Sequence, residues 1–260
     1  MRASRKTIVA AVYQGSALES SSYAKALSSL GGGGRATVLV SDPPYCRLVR
    51  RRRLGDEREH SLRKRERKLD VDGTTMRFEN IKAYSSFTDE WLAAALTYGL
   101  EPRSDLIIWS NLQGRSLIID AAERQKYSLM GEFKWAKFTT TAKSATLVNA
   151  NEKLLRLHET ALIFRHSQRP DFPRPGQERD WRLPTAVISE ASEHEHPCHK
   201  PLQVVLPLIQ CYTAREDVVL DCFAGSGGIV AAAVASGRRA VGLELDPVWA
   251  SKAAEAVTCR

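Results

Sequence analysis

Apolar residues along this chain form short unbroken runs that are separated by longer amphipathic stretches. The runs 37–40, 105–110 and 217–221 are rich in Val, Ile and Leu, and each leads into a polar or glycine-containing turn. Unbroken apolar runs of this length are typical of strands that are buried on both faces of a parallel sheet. The stretches 88–98 and 203–212 have the apolar spacing of helices. The pattern therefore predicts an α/β fold, with helices on both faces of a mostly parallel, twisted sheet.

Weaker patterns predict the other elements. Thr88 precedes a helical pattern and would cap its N-terminus. The four glycines at 31–34 fit the end of a helix. The stretch 145–157 has no clear pattern, and 166–199 is rich in proline and charge. The remaining expected strands are 7–13, 133–138, 160–165 and 240–244, and the remaining expected helices are 18–30, 116–127 and one after the glycine-rich turn at 225–228.

Composition limits the class of protein. A chain of 260 residues with 43% hydrophobic residues can bury a full core, and we interpret residues 1–260 as a single catalytic domain. No apolar run is long enough to cross a bilayer, and the charged N-terminus does not lead into a signal-type apolar core. The five cysteines include no C-x-x-C pair, which argues against a disulfide framework or a standard zinc site. We therefore expect a cytoplasmic protein with no membrane partner.

The net charge of +8 is concentrated in one segment. Residues 47–68 contain eleven Lys/Arg against four Asp/Glu, a net charge of +7, whereas the rest of the chain has 27 basic and 26 acidic residues. Such a run is often only a solvated loop or helix. It would equally suit an electrostatic clamp on nucleic-acid phosphates. Charge alone supports the two interpretations equally.

A glycine-rich turn near the C-terminus indicates a nucleoside-bearing cofactor. The segment Val218–Gly228 is a strand, a turn and the start of a helix, and Gly225, Gly227 and Gly228 let the backbone approach a ligand at the strand end. Nineteen residues after Gly225, the next strand ends at Glu244, where a carboxylate can accept hydrogen bonds from ribose hydroxyls. A tight turn without a ligand is the alternative interpretation.

Other glycine-rich motifs fit this turn less well. Val230 stands where a dinucleotide fingerprint has its third glycine, and no Lys-Ser/Thr pair follows as in a P-loop. Ser226 is not a hydrolase nucleophile, since Ala224 stands where the nucleophile elbow requires glycine.

A second motif, Asp42-Pro-Pro-Tyr45, follows the strand at 37–40. The two prolines lack N–H donors and stiffen the chain, which leaves carbonyl groups free to accept hydrogen bonds. The Asp42 carboxylate and the Pro43 carbonyl are two acceptors for one amino group, and the Tyr45 ring can stack on a planar base. An ordinary turn would also accommodate two prolines. The position at the carboxyl end of a parallel strand, where such sheets bind ligands, favours a binding site.

The order of these motifs resembles the beta group of amino-group DNA methyltransferases. In that family an Asp/Asn/Ser-Pro-Pro-Tyr motif precedes a Phe-x-Gly-x-Gly motif, as Asp42–Tyr45 here precedes Phe223–Gly227. The family signature His-Pro-x-x-Lys-Pro matches His196–Pro201, and weaker blocks match around Trp91 and at 105–109, 134–137 and 159–164. The resemblance covers nearly the whole chain and implies a class I, Rossmann-like methyltransferase fold with circularly permuted motif order.

The resemblance also implies roles for individual residues. Asp42, Pro43, Pro44 and Tyr45 would hold the flipped base during catalysis. The cofactor would be S-adenosylmethionine, with Lys200 and Pro201 beside its methionine end. The family usually has Gly-Asp where this chain has Gly15-Ser16, so the contact to the cofactor's adenine differs here. The residues implied to bind the cofactor are Gly15, Ser16, Asp42, Lys200, Pro201, Asp221, Phe223, Ala224, Gly225, Ser226, Gly227, Glu244 and Leu245.

The resemblance implies methylation of double-stranded DNA. An aspartate that opens the target-base motif goes mostly with adenine N6 in this family, so we expect that target. The alternatives are cytosine N4, an RNA or protein substrate, and a non-catalytic DNA-binding relative. The sequence leaves open a homodimer, and equally whether the enzyme serves a restriction system or acts alone.

Further segments gain an interpretation from the resemblance. The basic stretch within 46–75 would be a mobile loop that closes over DNA through Arg50, Arg51, Arg52, Arg53, Arg63 and Lys64. Target recognition would fall to 139–152 and 166–195. His194, His196, Cys198 and His199 lie close together in the sequence, but His196 belongs to the family signature and we expect no metal.

Overall fold

A computed structural model describes residues 10–30, 34–46, 81–138, 158–169, 186–190, 199–215 and 217–258. The strands are β1 (Ala10–Gln14), β2 (Ala36–Ser41), β3 (Leu100–Ser110), β4 (Tyr127–Phe138), β5 (His158–His166), β6 (Ala186–Glu190), β7 (Val218–Asp221) and β8 (Arg239–Glu244). The α-helices are α1 (Ser20–Ser28), α2 (Ile81–Ala94), α3 (Arg115–Arg124), α4 (Leu202–Tyr212), α5 (Gly228–Ala235) and α6 (Pro247–Thr258).

The described strands form one sheet in the order β1-β8-β7-β2-β3-β5-β4-β6. The first five strands in this order are parallel to one another, and β6 is parallel to β4. Strand β5 is antiparallel to both β3 and β4. The N-terminal end of β5 therefore reaches the same edge of the sheet as the carboxyl ends of the parallel strands. The prediction of a mostly parallel α/β sheet is confirmed.

Helices cover both faces of the sheet because successive strand residues point to opposite sides. In β2, Leu39 packs in a buried cluster with residues of α1, α2 and α3. Its neighbours Val38 and Val40 pack in a second cluster with residues of α4, α5 and α6. The unbroken apolar pattern of β2 thus serves two cores at once.

The predicted cap at Thr88 is wrong. Thr88 lies in the middle of α2, where its hydroxyl donates to the Tyr84 carbonyl at 2.7 Å. The helix begins seven residues earlier because Tyr84, Phe87 and Trp91 follow one face and are buried together. A π-helical turn at Ala95–Gly99, not a continuing α-helix, then leads into β3.

Strand β6 lies inside the segment 166–195, where we expected only irregular structure. It pairs with β4 from Lys134↔Ala186 to Phe138↔Glu190. Its short apolar run is flanked by proline and charged residues, which hid the strand in the sequence pattern. The rest of that segment beyond 169, apart from β6, and the whole of 139–152 lie outside the described residues. The described helices include none that is long and apolar enough to span a membrane.

Candidate active site

The two sequence motifs meet at one edge of the sheet because their strands are neighbours. Strand β2 pairs in parallel with β7, with Val38 opposite Val219 and Leu39 opposite Leu220. Asp42, which follows β2, and Asp221, which ends β7, therefore emerge side by side. The Ser41 hydroxyl accepts a hydrogen bond from the Cys222 N–H at 2.8 Å and ties the two strand ends together.

The turn after β7 adopts backbone conformations that require glycine. Gly227 has φ +80° and forms the N-cap of α5. A Cβ atom on the next residue, Gly228, would lie 2.9 Å from the carbonyl oxygen of Lys200. Any side chain there would push the 200–201 segment away from the turn. The glycines therefore let α5 begin directly against this segment.

Glu244 organises the cofactor-type side of the site. It ends β8, and its two carboxylate oxygens accept from the N–H groups of Gly225 at 2.7 Å and Asp246 at 2.9 Å. Its own carbonyl accepts from the Gly15 N–H at 2.9 Å. A carboxylate oxygen can accept more than one hydrogen bond. Glu244 is thus fixed by backbone contacts and can still accept from ribose hydroxyls.

The Gly15–Ser16 turn lies beside Glu244 and is fastened to α1. The Ser16 N–H donates to the Ser22 hydroxyl at 3.0 Å, and the Ser16 hydroxyl accepts from the Leu18 N–H at 3.2 Å. A Cβ atom on Gly15 would lie 2.6 Å from the Ser22 hydroxyl oxygen, so a side chain there would displace α1. Ser16 thus stabilises its own turn at the position where the resembling family has aspartate.

Asp221 is a buried acid with spare hydrogen-bonding capacity. One carboxylate oxygen accepts from the Phe223 N–H at 3.1 Å. The other, Oδ2, is buried and has no hydrogen-bond partner among the described residues. Burial raises the pKa of Asp221 to about 8, and the nearby carboxylates of Asp42 and Glu244 raise it further against the Phe223 N–H. A cationic ligand group beside Asp221 would favour its charged form.

The Phe223 side chain anchors this region to α2. Its ring meets Trp91 edge-on with 5.2 Å between centroids and lies 6.0 Å from Phe87. Residues of the helix that carries no motif therefore support the turn that does.

Asp42 belongs to a buried group that we name the acid–lysine cluster: Asp42, Tyr45, Glu159 and Lys200. The Lys200 ammonium forms an ion pair with Asp42 Oδ2 and another with Glu159 Oε2 at 2.9 Å. The Tyr45 hydroxyl donates to the same Glu159 oxygen at 3.0 Å. Asp42 Oδ1 is buried with no hydrogen-bond partner in the described part of the chain. It is available to a ligand.

Aromatic rings and backbone contacts surround the acid–lysine cluster. The Lys200 Nζ lies 5.6 Å from the Tyr45 ring centroid and 5.2 Å from that of Trp109. The Asn111 side chain, just beyond β3, donates to the Cys46 carbonyl at 2.7 Å. This bond fastens the end of the Asp42–Cys46 segment to the neighbouring strand and limits the freedom of the Tyr45 ring.

The charges within the acid–lysine cluster depend on one another. Burial raises the pKa of Asp42, the Glu159 charge raises it further, and the Lys200 ammonium opposes both. Burial disfavours the charged form of Lys200, but the two carboxylates outweigh it and raise its pKa. Burial and then the Asp42 and Glu159 charges raise the pKa of Tyr45 well above its ordinary value. Lys200 therefore remains an ammonium, and Tyr45 remains a neutral hydroxyl donor.

The structure places the predicted residues of this edge as follows. The Lys200 side chain, expected beside the cofactor's methionine end, contacts Asp42 and Glu159, while its carbonyl faces Gly228. Ser226 pairs with the His199 ring at 2.8 Å. Pro201 precedes α4 as its N-cap, Ala224 is buried, and Leu245 is 58% exposed.

Two sets of residues differ from the rest of the predicted site. Glu159 was missed, because in the sequence it only opens a weak family block. The expected nucleic-acid contacts Arg50, Arg51, Arg52, Arg53, Arg63 and Lys64 lie outside the described residues.

Solved structures of DNA methyltransferases share this architecture. The crystal structure of the M1.HpyAVI–SAM complex has a TM-score of 0.61, 19% sequence identity and coverage of 95% of this chain and 99% of that one. TTHA0409 from Thermus thermophilus, complexed with S-adenosyl-L-methionine, gives 0.61, 20%, 96% and 94%. The cytosine-N4-specific PvuII DNA methyltransferase gives 0.61, 17%, 95% and 86%. At these identities the likeness establishes the fold, and the predicted methyltransferase fold class is confirmed.

Sequence relatives match parts of the chain. YubD of Escherichia coli (strain K12) is 32% identical over 165 residues, which are 61% of this chain and 65% of YubD. The type II methyltransferase M2.MboI of Moraxella bovis is 38% identical over 69 residues, 26% of this chain and 25% of that protein. The matched regions thus span less than two thirds of either relative.

A family model matches almost the entire chain. The model describes DNA methylases of the N6/N4 type and aligns with residues 36–255, which include both motifs and the acid–lysine cluster. The chain belongs to this DNA methylase family.

Proposed function

We propose that this protein transfers a methyl group from S-adenosylmethionine to the exocyclic amino group of a flipped base in DNA, with adenine N6 as the target. One observation carries the proposal. Asp42, with a buried carboxylate oxygen that has no partner among the described residues, stands beside the Asp221–Gly228 turn on the adjacent parallel strand. This placement puts a base-binding acceptor and a cofactor-type turn at one strand edge.

The residues around the turn fit S-adenosylmethionine. Glu244 would accept from the ribose hydroxyls, and the Gly225–Gly228 backbone would lie under the cofactor. The unpartnered Asp221 Oδ2 would face the cationic methionine end, which would lower the raised pKa of this acid. When bound, S-adenosylmethionine would supply a methyl group already activated by its positively charged sulfur.

The residues around Asp42 fit the target amino group. A base in a duplex hides this group, so the base must leave the stack, which costs a few kcal/mol. The Tyr45 ring would stack on the extruded base. Asp42 Oδ1 and the Pro43 carbonyl would accept the two amino hydrogens. These bonds would draw the nitrogen toward tetrahedral geometry and release its lone pair from the ring.

The reaction then needs only alignment and charge stabilisation. The base nitrogen forms a bond to the methyl carbon, and the bond between that carbon and sulfur breaks with its electron pair staying on sulfur. The positive charge moves to the nitrogen, which loses a proton to water. Holding nitrogen, carbon and sulfur in line supplies a large part of the rate enhancement.

The substrate assignment rests on particular features. The family and the name of the relative M2.MboI support DNA, as does the basic stretch that follows Tyr45 in the sequence. Asp42 at the head of the motif supports adenine. Cytosine N4 is the second candidate, because the structurally similar PvuII enzyme is cytosine-N4-specific.

Radiolabelled methyl transfer tests the proposal. The protein is incubated with S-adenosylmethionine and duplex DNA, RNA or protein, and the labelled product is hydrolysed to nucleosides. We expect label in DNA as N6-methyladenine. Label in N4-methylcytosine would replace the base assignment, label in RNA or protein would replace the substrate class, and no label in any of them would contradict the enzymatic function.

Removing the Glu244 carboxylate should weaken the cofactor site. The Glu244→Ala variant is expected to bind S-adenosylmethionine more weakly by about 1.5–3 kcal/mol, the range for hydrogen bonds to charged groups. The loss combines the ribose contacts with the looser Gly225 turn, whose N–H donates to Glu244 at 2.7 Å. Isothermal titration calorimetry measures the affinity.

A neighbouring acid is the matched control for this variant. Asp246 lies two residues further on, and its carboxylate accepts from Val248 and Trp249 at the start of α6. Asp246→Asn keeps an acceptor for that helix and should leave cofactor affinity unchanged. Unchanged affinity in Glu244→Ala would instead place the ribose away from Glu244.

The arginine run should affect DNA binding in a way that depends on salt. If Arg50–Arg53 contact phosphates, replacing all four by serine should weaken binding to every DNA sequence about equally, since phosphate contacts carry no sequence information. The slope of log affinity against log salt should fall by about 0.9 for each phosphate that the variant no longer neutralises. Titrations at several salt concentrations measure the slope, with cofactor affinity as the control. An unaltered slope would mean that these arginines are only solvated.

A further inference from the structure

The acid–lysine cluster contains one carboxylate more than the proposed base contacts require. Asp42 and Glu159 flank a single ammonium, Lys200, which is 4% exposed. A buried carboxylate is costly unless it is paired and hydrogen-bonded. Glu159 carries this cost although no proposed base or cofactor contact uses it.

We propose that Glu159 is a positioning residue of the methyl-transfer site, which holds Lys200 and Tyr45 in place and gives the acid–lysine cluster its excess negative charge. This inference rests on the proposed function. Glu159 would act through its neighbours, without touching the substrate.

The fold brings Glu159 to this place. It lies at the start of β5, which runs antiparallel to β3, so that Trp109 and Ser110 at the end of β3 pair with Ala161 and Thr160. The beginning of β5 therefore lies at the edge where β2 delivers Asp42. Had β5 been parallel to β3, its first residues would lie at the opposite edge.

One oxygen of Glu159 holds two partners. Oε2 accepts from the Tyr45 hydroxyl at 3.0 Å and pairs with the Lys200 ammonium at 2.9 Å. The first contact fixes the phenol end of the ring that would stack on the base. The second holds the ammonium where it also meets Asp42 Oδ2, which leaves Asp42 Oδ1 for the amino group.

The charge balance gives Glu159 a further role. Asp42 and Lys200 alone would form a neutral pair, and Glu159 brings the acid–lysine cluster to a net charge of −1. During transfer, positive charge develops on the base nitrogen next to Asp42. A fixed negative charge near that nitrogen stabilises this change, and more strongly in a buried site than in water.

Two other titratable groups face Asp42 from the elements packed against it. Asp221, on β7, is protonated at neutral pH because burial raises its pKa to about 8. Tyr84, on α2, has its pKa raised by burial and stays neutral. In the described part of the unliganded site, the charges near Asp42 are therefore those of Glu159 and Lys200.

Three variants test the inference in the full-length protein. Glu159→Gln keeps the size and an oxygen acceptor for Tyr45 but removes the charge, and we expect kcat to fall by about tenfold to a hundredfold with the KM for S-adenosylmethionine unchanged. Glu159→Asp keeps the charge and should retain more activity than Glu159→Gln. The control is Glu132→Gln, which removes a carboxylate on β4 that pairs with Arg115 and lies outside the acid–lysine cluster. It should leave kcat unchanged.

The pH profile separates positioning from mere structural support. Transfer needs ionised Asp42, so kcat falls as the pH drops through the pKa of that acid. The Glu159 charge raises this pKa and also competes for Lys200. Glu159→Gln should therefore move the acid limb of the kcat profile to lower pH while lowering its plateau. A structural role alone would lower the plateau without moving the limb.

Each outcome decides the inference. A lowered plateau with a shifted limb supports it, and so does partial retention of activity in Glu159→Asp. An active wild type with an unchanged Glu159→Gln profile, or with a lowered plateau and an unmoved limb, would overturn it. If Glu159→Gln does not fold, a Glu159→Asp variant no more active than an Ala variant would overturn it. Inactivity of the wild type on DNA would instead overturn the proposed function.

Discussion

Replacement of Asp42 by alanine should lower methyl transfer to DNA by about 10²–10³-fold, the range for losing one preorganised hydrogen-bonding group at a reacting centre. Asp42 Oδ1 is the buried acceptor that the proposal assigns to the amino group. Its removal also leaves the Lys200 ammonium facing that group, where a positive charge would oppose the charge developing on nitrogen. The measurement is the single-turnover rate of labelled methyl transfer at saturating DNA and cofactor.

A second substitution separates the charge of Asp42 from its shape. Asp42→Asn preserves the side-chain volume and one oxygen acceptor but cannot offset Lys200. It should lose nearly as much activity as Asp42→Ala, while both variants bind S-adenosylmethionine within a fewfold of the wild type. Substantial turnover in Asp42→Ala would show that the amino group is held elsewhere.

Replacement of Lys200 by methionine should lower the free energy of unfolding by about 3–5 kcal/mol at neutral pH, since removing one member of a buried ion pair leaves an uncompensated charge. Here two carboxylates, Asp42 and Glu159, would lose their shared partner. Methionine fills a similar volume, so most of the loss is electrostatic. Denaturant unfolding monitored by fluorescence measures it.

The loss should depend on pH with a definite sign. Without Lys200, the folded-state pKa values of Asp42 and Glu159 rise further above their unfolded values of about 4. Groups whose pKa is raised by folding stabilise less as the pH rises, so the variant loses stability progressively above pH ~4. The difference between wild type and Lys200→Met should therefore be small at acid pH and largest above neutrality.

Neutralising the partners provides the matched control. The triple variant Asp42→Asn, Glu159→Gln, Lys200→Met contains no buried charge in the acid–lysine cluster and should recover much of the stability of the single variant. An equal deficit in Lys200→Met at pH 5 and pH 8, or no recovery in the triple variant, would mean that Lys200 stabilises the fold through packing.

Much of the fold could be predicted because its signals are local. The apolar runs of β2, β3 and β7 and the amphipathic spacing of α4 depend on residues a few positions apart. The Asp42–Tyr45 and Phe223–Gly227 motifs were equally readable, because a proline pair and closely spaced glycines constrain the backbone on which they lie. The start of α2 was mistaken, since its cap-like Thr88 bonds the Tyr84 carbonyl inside the helix.

What the sequence by itself determined about this protein is the set of elements and the two chemical motifs, and with them the family. The tertiary structure alone decided how the acid–lysine cluster forms. Lys200 meets Asp42 across 158 residues of chain, and Tyr45 meets Glu159 across 114. These contacts exist because β2 lies between β7 and β3 and because β5 runs antiparallel to β3. Strand order and direction follow from burying both faces of the whole sheet, a property that no local pattern of residues records.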